Sequence, residues 1–158
     1  MAAIEFARNV AKLPASYSSE FSEQQDGTQI VGLIMEWLKD GQKQQRSKND
    51  DLGGTMRLGA YPCKIVANSL AAAIYKQDLI TARHRHRYEI NINHKDILEK
   101  HGLLFSGMSP DGKLTEIIEL PEHKYFIGVQ FHPELKSRPF SPHPLFTNFV
   151  KASQQNGV

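Results

Sequence analysis

The stretch Gly128-Val129-Gln130-Phe131-His132-Pro133-Glu134 is the most informative part of this sequence. An apolar segment, Tyr125 to Phe131, predicts a strand that runs into a histidine, with a glutamate two residues further along. In open α/β sheets, functional groups collect at the carboxyl ends of strands. A histidine beside an acid suits a general base with an orienting carboxylate, two thirds of a nucleophile–His–acid triad. The alternative is a solvent-exposed histidine with a glutamate nearby by chance.

Short apolar strands precede this stretch, and helical patterns stand at both ends of the chain. Such a mixture predicts an α/β or α+β sheet domain. Strands are predicted over Gln29–Trp37, Tyr61–Ala67, Leu79–Ile90, Leu103–Met108 and Leu114–Leu120, the last two joined by a Pro-Asp-Gly turn. Helices are predicted from Ala2 to Leu13, from a Ser69 cap through Tyr75, from an Asn93 cap through His101, and after His143-Pro144. Polar loops are predicted over Pro14–Asp26 and Lys39–Asp51.

Composition excludes several classes of protein. A chain of 158 residues with 40% hydrophobic and 23% charged residues fits one soluble domain with a real core. The net charge of +2 is too small to argue for nucleic acid or a membrane surface as partner. No apolar run approaches the ~20 residues of a membrane span. The single cysteine, Cys63, excludes an internal disulfide and fits a reducing, cytosolic setting.

A basic run alternates arginine with histidine: Arg83, Arg85 and Arg87 flank His84 and His86. On a strand, the arginines fall on one face and the histidines on the other. A planar guanidinium takes a carboxylate through two hydrogen bonds, which suits an anchor for an amino-acid α-carboxylate. A salt-bridged strand face and a weak nucleic-acid patch are the alternatives. A metal site on the two histidines is disfavoured because no third ligand lies at ligand spacing.

Two further features have structural alternatives of their own. The glycine-rich segment Gly53–Gly59 fits either a flexible lid or a plain turn, and no Gly-Lys-Ser/Thr follows it as in a phosphate loop. Cys63 has strand residues after it and no glycine beside it, whereas a nucleophile elbow needs a tight glycine turn. A packed core thiol is therefore the favoured interpretation of Cys63.

Four segments together carry a family resemblance: Ser18-Ser19-Glu20-Phe21, the GGTMRLG run at 53–59, the RHRHRYE run at 83–89, and VQFHPE at 129–134. In these segments the chain resembles the glutaminase domain of the CTP synthase family. That domain is a class I, triad-type glutamine amidotransferase. QFHPE is shared across that class, whereas GGTMRLG and RHRHRYE are more specific. The resemblance covers residues 1–158 and implies an α/β fold with an open sheet flanked by helices.

The resemblance implies roles for single residues. His132 corresponds to the base that activates a catalytic cysteine, and Glu134 to its orienting acid. Glu20 corresponds to the acid that holds the α-amino group of L-glutamine. Arg87 corresponds to the α-carboxylate anchor, with Tyr88 beside it.

A second group of residues corresponds to a lid that responds to the activator GTP. Gly53, Gly54, Thr55 and Arg57 match this lid, and Arg46 lies in the loop before it. The resemblance implies no metal or cofactor in this chain. The parent enzyme is a cytoplasmic homotetramer and a ligase of pyrimidine biosynthesis. It uses Mg²⁺ and ATP to aminate UTP to CTP with the released ammonia.

The chain departs from the family in one respect. The family's nucleophile lies in a Gly-x-Cys-Leu-Gly-Met-Gln turn, which aligns just before Met1. We therefore expect a C-terminal portion of the domain, lacking the first strands, the nucleophile elbow and the N-terminal synthase domain. We expect such a chain to be inactive alone and prone to associate through uncovered sheet surface. It would need the synthase domain or the missing N-terminal segment as a partner.

Two other functions fit parts of the same pattern. A non-catalytic module that binds glutamine or a nucleotide would also keep Glu20 and Arg87. Another class I amidotransferase, such as a GMP synthetase or a gamma-glutamyl hydrolase, would share QFHPE. The GGTMRLG and RHRHRYE segments argue against the latter.

Overall fold

The computed structural model describes residues 1–21, 26–33 and 56–155. The chain divides into two compact units: Met1–Leu58 with Arg85–His101, and Gly59–His84 with Gly102–Val158. The helices of the described part are α1 Ala2–Asn9, α2 Leu70–Tyr75, α3 Lys95–Lys100 and α4 Pro144–Gln155, with 3-10 turns at Ile92–His94 and Pro133–Lys136. The strands are β1 Tyr17–Ser18, β2 Gln29–Leu33, β3 Arg57–Ile65, β4 Leu79–His86, β5 Tyr88–Ile90, β6 Leu104–Met108, β7 Thr115–Glu119 and β8 Ile127–Val129.

The first unit contains a three-stranded sheet in the order β1-β2-β5. β1 runs parallel to β2, with Ser18 opposite Val31. β5 runs antiparallel on the other side, with Ile90 opposite the same Val31 and Tyr88 opposite Leu33. The carboxyl end of β1 and the amino end of β5 therefore emerge at the same end of this sheet. Helix α1 packs against β2 with its apolar face.

The second unit contains a five-stranded sheet in the order β4-β3-β6-β7-β8. β6 is antiparallel to β3, β7 to β6, and β8 to β7. Beyond β8, the backbone N–H of Gln130 donates to the carbonyl of Glu116 on β7 at 2.9 Å. Two residues later, the N–H of His132 donates to the carbonyl of Arg83 on β4, also at 2.9 Å. The sheet is thus curled, so that the chain leaving its last strand meets the strand at its opposite edge.

The second unit has a tightly packed hydrophobic core. The Cys63 side chain is fully buried there and free of any disulfide. It packs so closely on β6 that a Cβ atom added to Gly107 would lie 2.9 Å from the Cys63 sulfur. The other members of this core are Ile65, Ala71, Ile74, Ile80, Ala82, Ile117, Phe131 and Leu145. The interpretation of Cys63 as a core thiol agrees with this burial.

Helix α2 begins on two side chains that satisfy its first backbone N–H groups. The hydroxyl of Ser69 accepts from the N–H of Ala72 at 3.0 Å, as an N-cap does. The carboxylate of Glu119, on β7, accepts from the N–H groups of Leu70 and Ala71 at 2.8 and 2.7 Å. Glu119 is only 2% exposed. A buried carboxylate therefore ties α2 to the sheet, favoured by the positive end of the helix dipole.

Most predicted elements are present, and several bounds differ. The strands over Leu103–Met108 and Leu114–Leu120 and the helix capped by Ser69 are confirmed. The turn between those strands places Gly112 at φ +72°, a conformation that glycine adopts readily. The strand predicted over Tyr125–Phe131 is shorter and ends at Val129. The predicted loop Lys39–Asp51 and the end of the strand predicted to Trp37 lie outside the described residues.

Three predictions are wrong in detail. The single strand predicted over Leu79–Ile90 is two strands, β4 and β5, which belong to different sheets and are separated at Arg87. The predicted loop Pro14–Asp26 contains β1. Asn93 does not cap the helix predicted after it: α3 begins after His94 without a side-chain cap, and Asn91 caps the preceding 3-10 turn by accepting from the N–H of Asn93. No helix in the described part of the chain has the length and apolar character to cross a membrane.

We expect Glu119→Ala to destabilise the chain by roughly 3 kcal/mol, because two buried backbone donors lose a charged acceptor. The measurement is the free energy of unfolding in urea. Glu122→Ala is the control, since Glu122 is exposed in the turn after β7 and its loss should change stability by less than about 0.5 kcal/mol. Equal stability of the two variants would contradict the anchoring role of Glu119.

Candidate active site

His132 and Glu134 lie side by side immediately after the curled sheet. The Nδ1 atom of His132 is 2.8 Å from Oε1 of Glu134. Their side chains are 39% and 58% exposed, so the pair faces solvent on one side. With Glu134 accepting from Nδ1–H, the lone pair of the imidazole is on Nε2. That is the arrangement of a histidine base held in one tautomer by an acid.

The two side chains meet by a different local geometry from the one predicted. An extended chain was expected to point residues 132 and 134 the same way, but Pro133–Lys136 forms a 3-10 turn and His132 stands just before it. Pro133 occupies the first position of that turn, where its missing N–H costs no hydrogen bond. The tight turn, and not strand alternation, brings the carboxylate back to the imidazole.

Glu134 is held as a carboxylate by its surroundings. Its pKa is lowered from the ordinary value of 4.5, first by the hydrogen bond from its own backbone N–H and then by the hydrogen bond from His132. The carboxylate therefore keeps its charge to a lower pH than an isolated glutamate. An orienting acid has to remain charged to stabilise an imidazolium.

Several contacts fix the backbone that carries His132. Its own N–H is bonded to the Arg83 carbonyl of β4, as described above. Phe131, the preceding residue, is 3% exposed and belongs to the core. On the following turn, Nζ of Lys136 donates to the carbonyl of Thr81, also on β4, at 2.7 Å. The imidazole thus stands on a segment fastened to the sheet before and after it.

In the first unit, the residues predicted to bind glutamine emerge at one end of the three-stranded sheet. Glu20 follows β1 and is exposed, and its backbone N–H donates to the Ser18 hydroxyl at 3.3 Å. Arg87 lies just before β5 and Tyr88 is its first residue, both half-buried. The carboxyl end of β1 and the amino end of β5 point to the same end of this sheet, on either side of β2. An anion and a cation at one sheet end are what a zwitterion requires.

Arg57 is buried in the first unit as part of an ion pair. Its Nη1 lies 2.7 Å from Oε1 of Glu89, and the two side chains are 7% and 0% exposed. This pair joins the GGTMRLG segment to the RHRHRYE segment within two residues of Arg87. The other lid residues, Gly53, Gly54 and Thr55, and the neighbouring Arg46 lie outside the described residues.

The alternation predicted for the basic run is observed on β4. Arg83 and Arg85 are exposed, whereas His84 is buried, as a period of two requires. Its Nε2 lies 3.1 Å from Oε2 of Glu116 on β7, and both side chains are fully buried. Arg87 has left the strand, so the last arginine of the run is separated from the other two.

Three partners in these contacts were not predicted from the sequence: Glu89, Glu116 and Glu119. All are at most 2% exposed. A glutamate within a strand pattern is a signal that was available, because a buried carboxylate needs a cation or hydrogen-bond donor as partner. The sequence does not say which partner, since Glu119 binds residues 48 and 49 positions away.

Comparison with known proteins identifies the family. The sequence model described as Glutamine amidotransferase class-I matches residues 1–152. The chain belongs to the class I glutamine amidotransferases. This confirms the family to which the QFHPE segment pointed. The curled sheet flanked by helices agrees with the α/β fold expected of such a member.

Individual class I amidotransferase relatives are similar over nearly the whole chain. CTP synthases of Zymomonas mobilis and Rhodospirillum rubrum are each 60% identical over 153 residues, 97% of this chain. The Pelagibacter ubique CTP synthase is 58% identical over 156 residues. The chain spans 28% of the length of each of these relatives. A solved structure, the Trypanosoma brucei CTPS glutaminase domain with bound acivicin, has a TM-score of 0.83 and 34% identity, covering 98% of this chain and 56% of that one.

We expect His132→Gln to raise the pKa of Glu134 only part of the way to 4.5, because the larger contribution, the backbone N–H of Glu134, remains. The measurement is a carboxyl ¹³C NMR titration. Asp111 is the internal control: its pKa is lowered chiefly by the Ser109 hydroxyl and should not change. An unchanged pKa for Glu134 would show that the imidazole contact is absent in solution.

Proposed function

We propose that this chain is the glutaminase portion of a CTP synthase, releasing ammonia from L-glutamine for the amination of UTP. The observation that carries the proposal is the contact between His132 and Glu134 at 2.8 Å in a class I amidotransferase. The 60% identity to CTP synthases supports the choice within that class. Mg²⁺ and ATP would serve the amination step in the synthase domain, and no residue of this chain is assigned to them. The single cysteine of the sequence, Cys63, fits a reducing, cytosolic compartment.

In the proposed reaction, His132 moves protons and Glu134 holds it in place. Nε2 of His132 takes the proton of a cysteine thiol, and the thiolate sulfur attacks the side-chain carbonyl carbon of glutamine. The imidazolium then returns the proton to the leaving nitrogen, so that ammonia departs and a thioester remains. With the same histidine as base, water attacks the thioester, which releases glutamate and restores the thiol. Glu134 stabilises the imidazolium formed in both steps.

We propose that glutamine is recognised by its charged α-groups. Glu20 would accept hydrogen bonds from the ammonium group, and Arg87 would donate two to the carboxylate, with Tyr88 beside it. Their emergence at one end of the β1-β2-β5 sheet supports this assignment. We further propose that GTP acts through the lid residues. The buried ion pair of Arg57 with Glu89 would anchor the end of that segment.

We propose that the cysteine of the reaction lies outside these 158 residues. The sequence contains one thiol, Cys63, which is fully buried within the core of the second unit. A nucleophile has to reach substrate, so Cys63 does not fit that role. The family places the nucleophile in a Gly-x-Cys-Leu-Gly-Met-Gln turn, and we propose that a segment or subunit bearing this turn completes the site.

The proposed recognition roles can be tested by glutamine binding. We expect Arg87→Gln and Glu20→Gln each to weaken L-glutamine binding about tenfold or more, because each removes a charged hydrogen bond. The measurement is isothermal titration calorimetry with this chain. Arg85→Gln is the matched control, since Arg85 belongs to the same basic run but is exposed on β4. Equal affinity in all three variants and the unaltered chain would contradict the recognition roles.

The proposed role of His132 can be tested by ammonia release from glutamine. We expect no ammonia release from the chain alone, and release when it is co-expressed with the segment that carries the cysteine turn. In that complex, His132→Ala should lower the rate about 10³-fold or more, as loss of a triad member does. His101→Ala, at an exposed histidine after α3, is the control.

Two outcomes would contradict the catalytic prediction. Ammonia release from the chain alone that disappears in Cys63→Ser would make Cys63 the nucleophile. Glutamine binding without ammonia release, even with the added segment, would favour the non-catalytic binding module.

A further inference from the structure

A histidine and a glutamate are buried together inside the curled sheet. The side chains of His84 and Glu116 are both fully buried, with Nε2 and Oε2 3.1 Å apart. They come from β4 and β7, which are separated in the sheet by β3 and β6. Strands that are not neighbours can exchange side-chain contacts only across the inside of a curl. The pair therefore spans the interior of the second unit.

The strands of both members are hydrogen-bonded to the segment that carries His132. The backbone carbonyl of Glu116 accepts from the N–H of Gln130. The carbonyl of Arg83, adjacent to His84 in β4, accepts from the N–H of His132. Between these two bonds, the ring of Phe131 packs edge-on to the ring of His84, with centroids 6.1 Å apart. The three residues 130–132 are thus bound to the two strands that the pair connects.

We infer that His84 and Glu116 are positioning residues for His132. The two atoms lie within ion-pair distance but do not meet hydrogen-bond geometry. Polar attraction of this kind strengthens as two particular atoms approach, whereas apolar packing selects no particular pair of atoms. The pair sets the separation of β4 and β7. That separation sets the positions of the two carbonyls that accept from the N–H groups of Gln130 and His132. The His132 ring is then placed so that Nδ1 faces Glu134. The role of His132 as a base rests on the proposed function.

The cost of burying such a pair supports a role beyond packing. Taking an imidazole and a carboxylate out of water is unfavourable, and apolar residues of similar size are often as stabilising or more so. Aromatic rings pack on His84 nonetheless, and that of Tyr61 lies edge-on with centroids 5.6 Å apart. Retention of a polar pair at this cost is explained if the geometry of the segment 130–132 has to be held closely.

The test reads the His132 ring directly in this 158-residue chain, without substrate. In ¹⁵N-histidine-labelled protein, two-bond N–H couplings give the ratio of Nδ1–H to Nε2–H tautomers at a pH where the ring is neutral. The variants are Glu116→Gln, which removes the charge, and the double variant His84→Phe with Glu116→Leu, which replaces the pair by apolar groups. The matched control is Glu119→Gln, which neutralises another buried carboxylate on β7.

We expect the Nδ1–H to Nε2–H ratio of His132 to fall about fivefold in both pair variants, the effect of losing a modest hydrogen bond. We expect the control to change it less than about twofold, although Glu119→Gln also destabilises the fold. The double variant should keep a urea midpoint near that of the unaltered chain. If Glu116→Gln does not fold, the double variant supplies the measurement.

Two results would overturn the inference. One is an unchanged tautomer ratio in a folded double variant. The other is an equal fall in Glu119→Gln, which would mean that any loosening of β7 disturbs His132. The proposed function fails separately, through absent ammonia release in the completed enzyme, because the tautomer measurement needs neither nucleophile nor glutamine.

Discussion

One backbone hydrogen bond, from the N–H of His132 to the carbonyl of Arg83, closes the curl of the sheet in the second unit. It joins the chain beyond the last strand to the strand at the other edge of the sheet. Phe131 is buried because of this curl, and the Pro133–Lys136 turn begins where the bond ends. The placement of the candidate base is therefore a property of the whole sheet, even though the base and its acid are two residues apart.

The local features could be predicted from the sequence because each depends on neighbours along the chain. Ser69 was predicted as a helix cap because a hydroxyl before an apolar run satisfies the first free N–H groups. The inward turn of His84 follows from strand alternation. The spacing of His132 and Glu134 allowed their pairing but also a chance neighbourhood, and a 3-10 turn, not an extended chain, brings the two together.

The remaining features could not be predicted because they depend on residues far apart in the sequence. The run 79–90 has continuous strand character, and nothing local shows that it divides at Arg87 to serve two sheets. The partner of Arg57 lies 32 residues away, and that of Glu119 nearly 50. Burial of a carboxylate can be suspected from a strand pattern, but its partner is set by tertiary structure. The short strand β1 has too little apolar pattern to be distinguished from a loop.

The way in which the turn after His132 fastens to β4 has a consequence for solubility. A strand at the edge of a sheet offers unpaired carbonyl and N–H groups to strands of other molecules. On β4 the carbonyls of Thr81 and Arg83 accept from the Lys136 side chain and the His132 backbone. A foreign strand would have to displace a lysine and break the curl before it could pair there. The segment that carries the candidate base thus also protects one edge of the sheet from pairing with strands of other molecules, which is a route to aggregation.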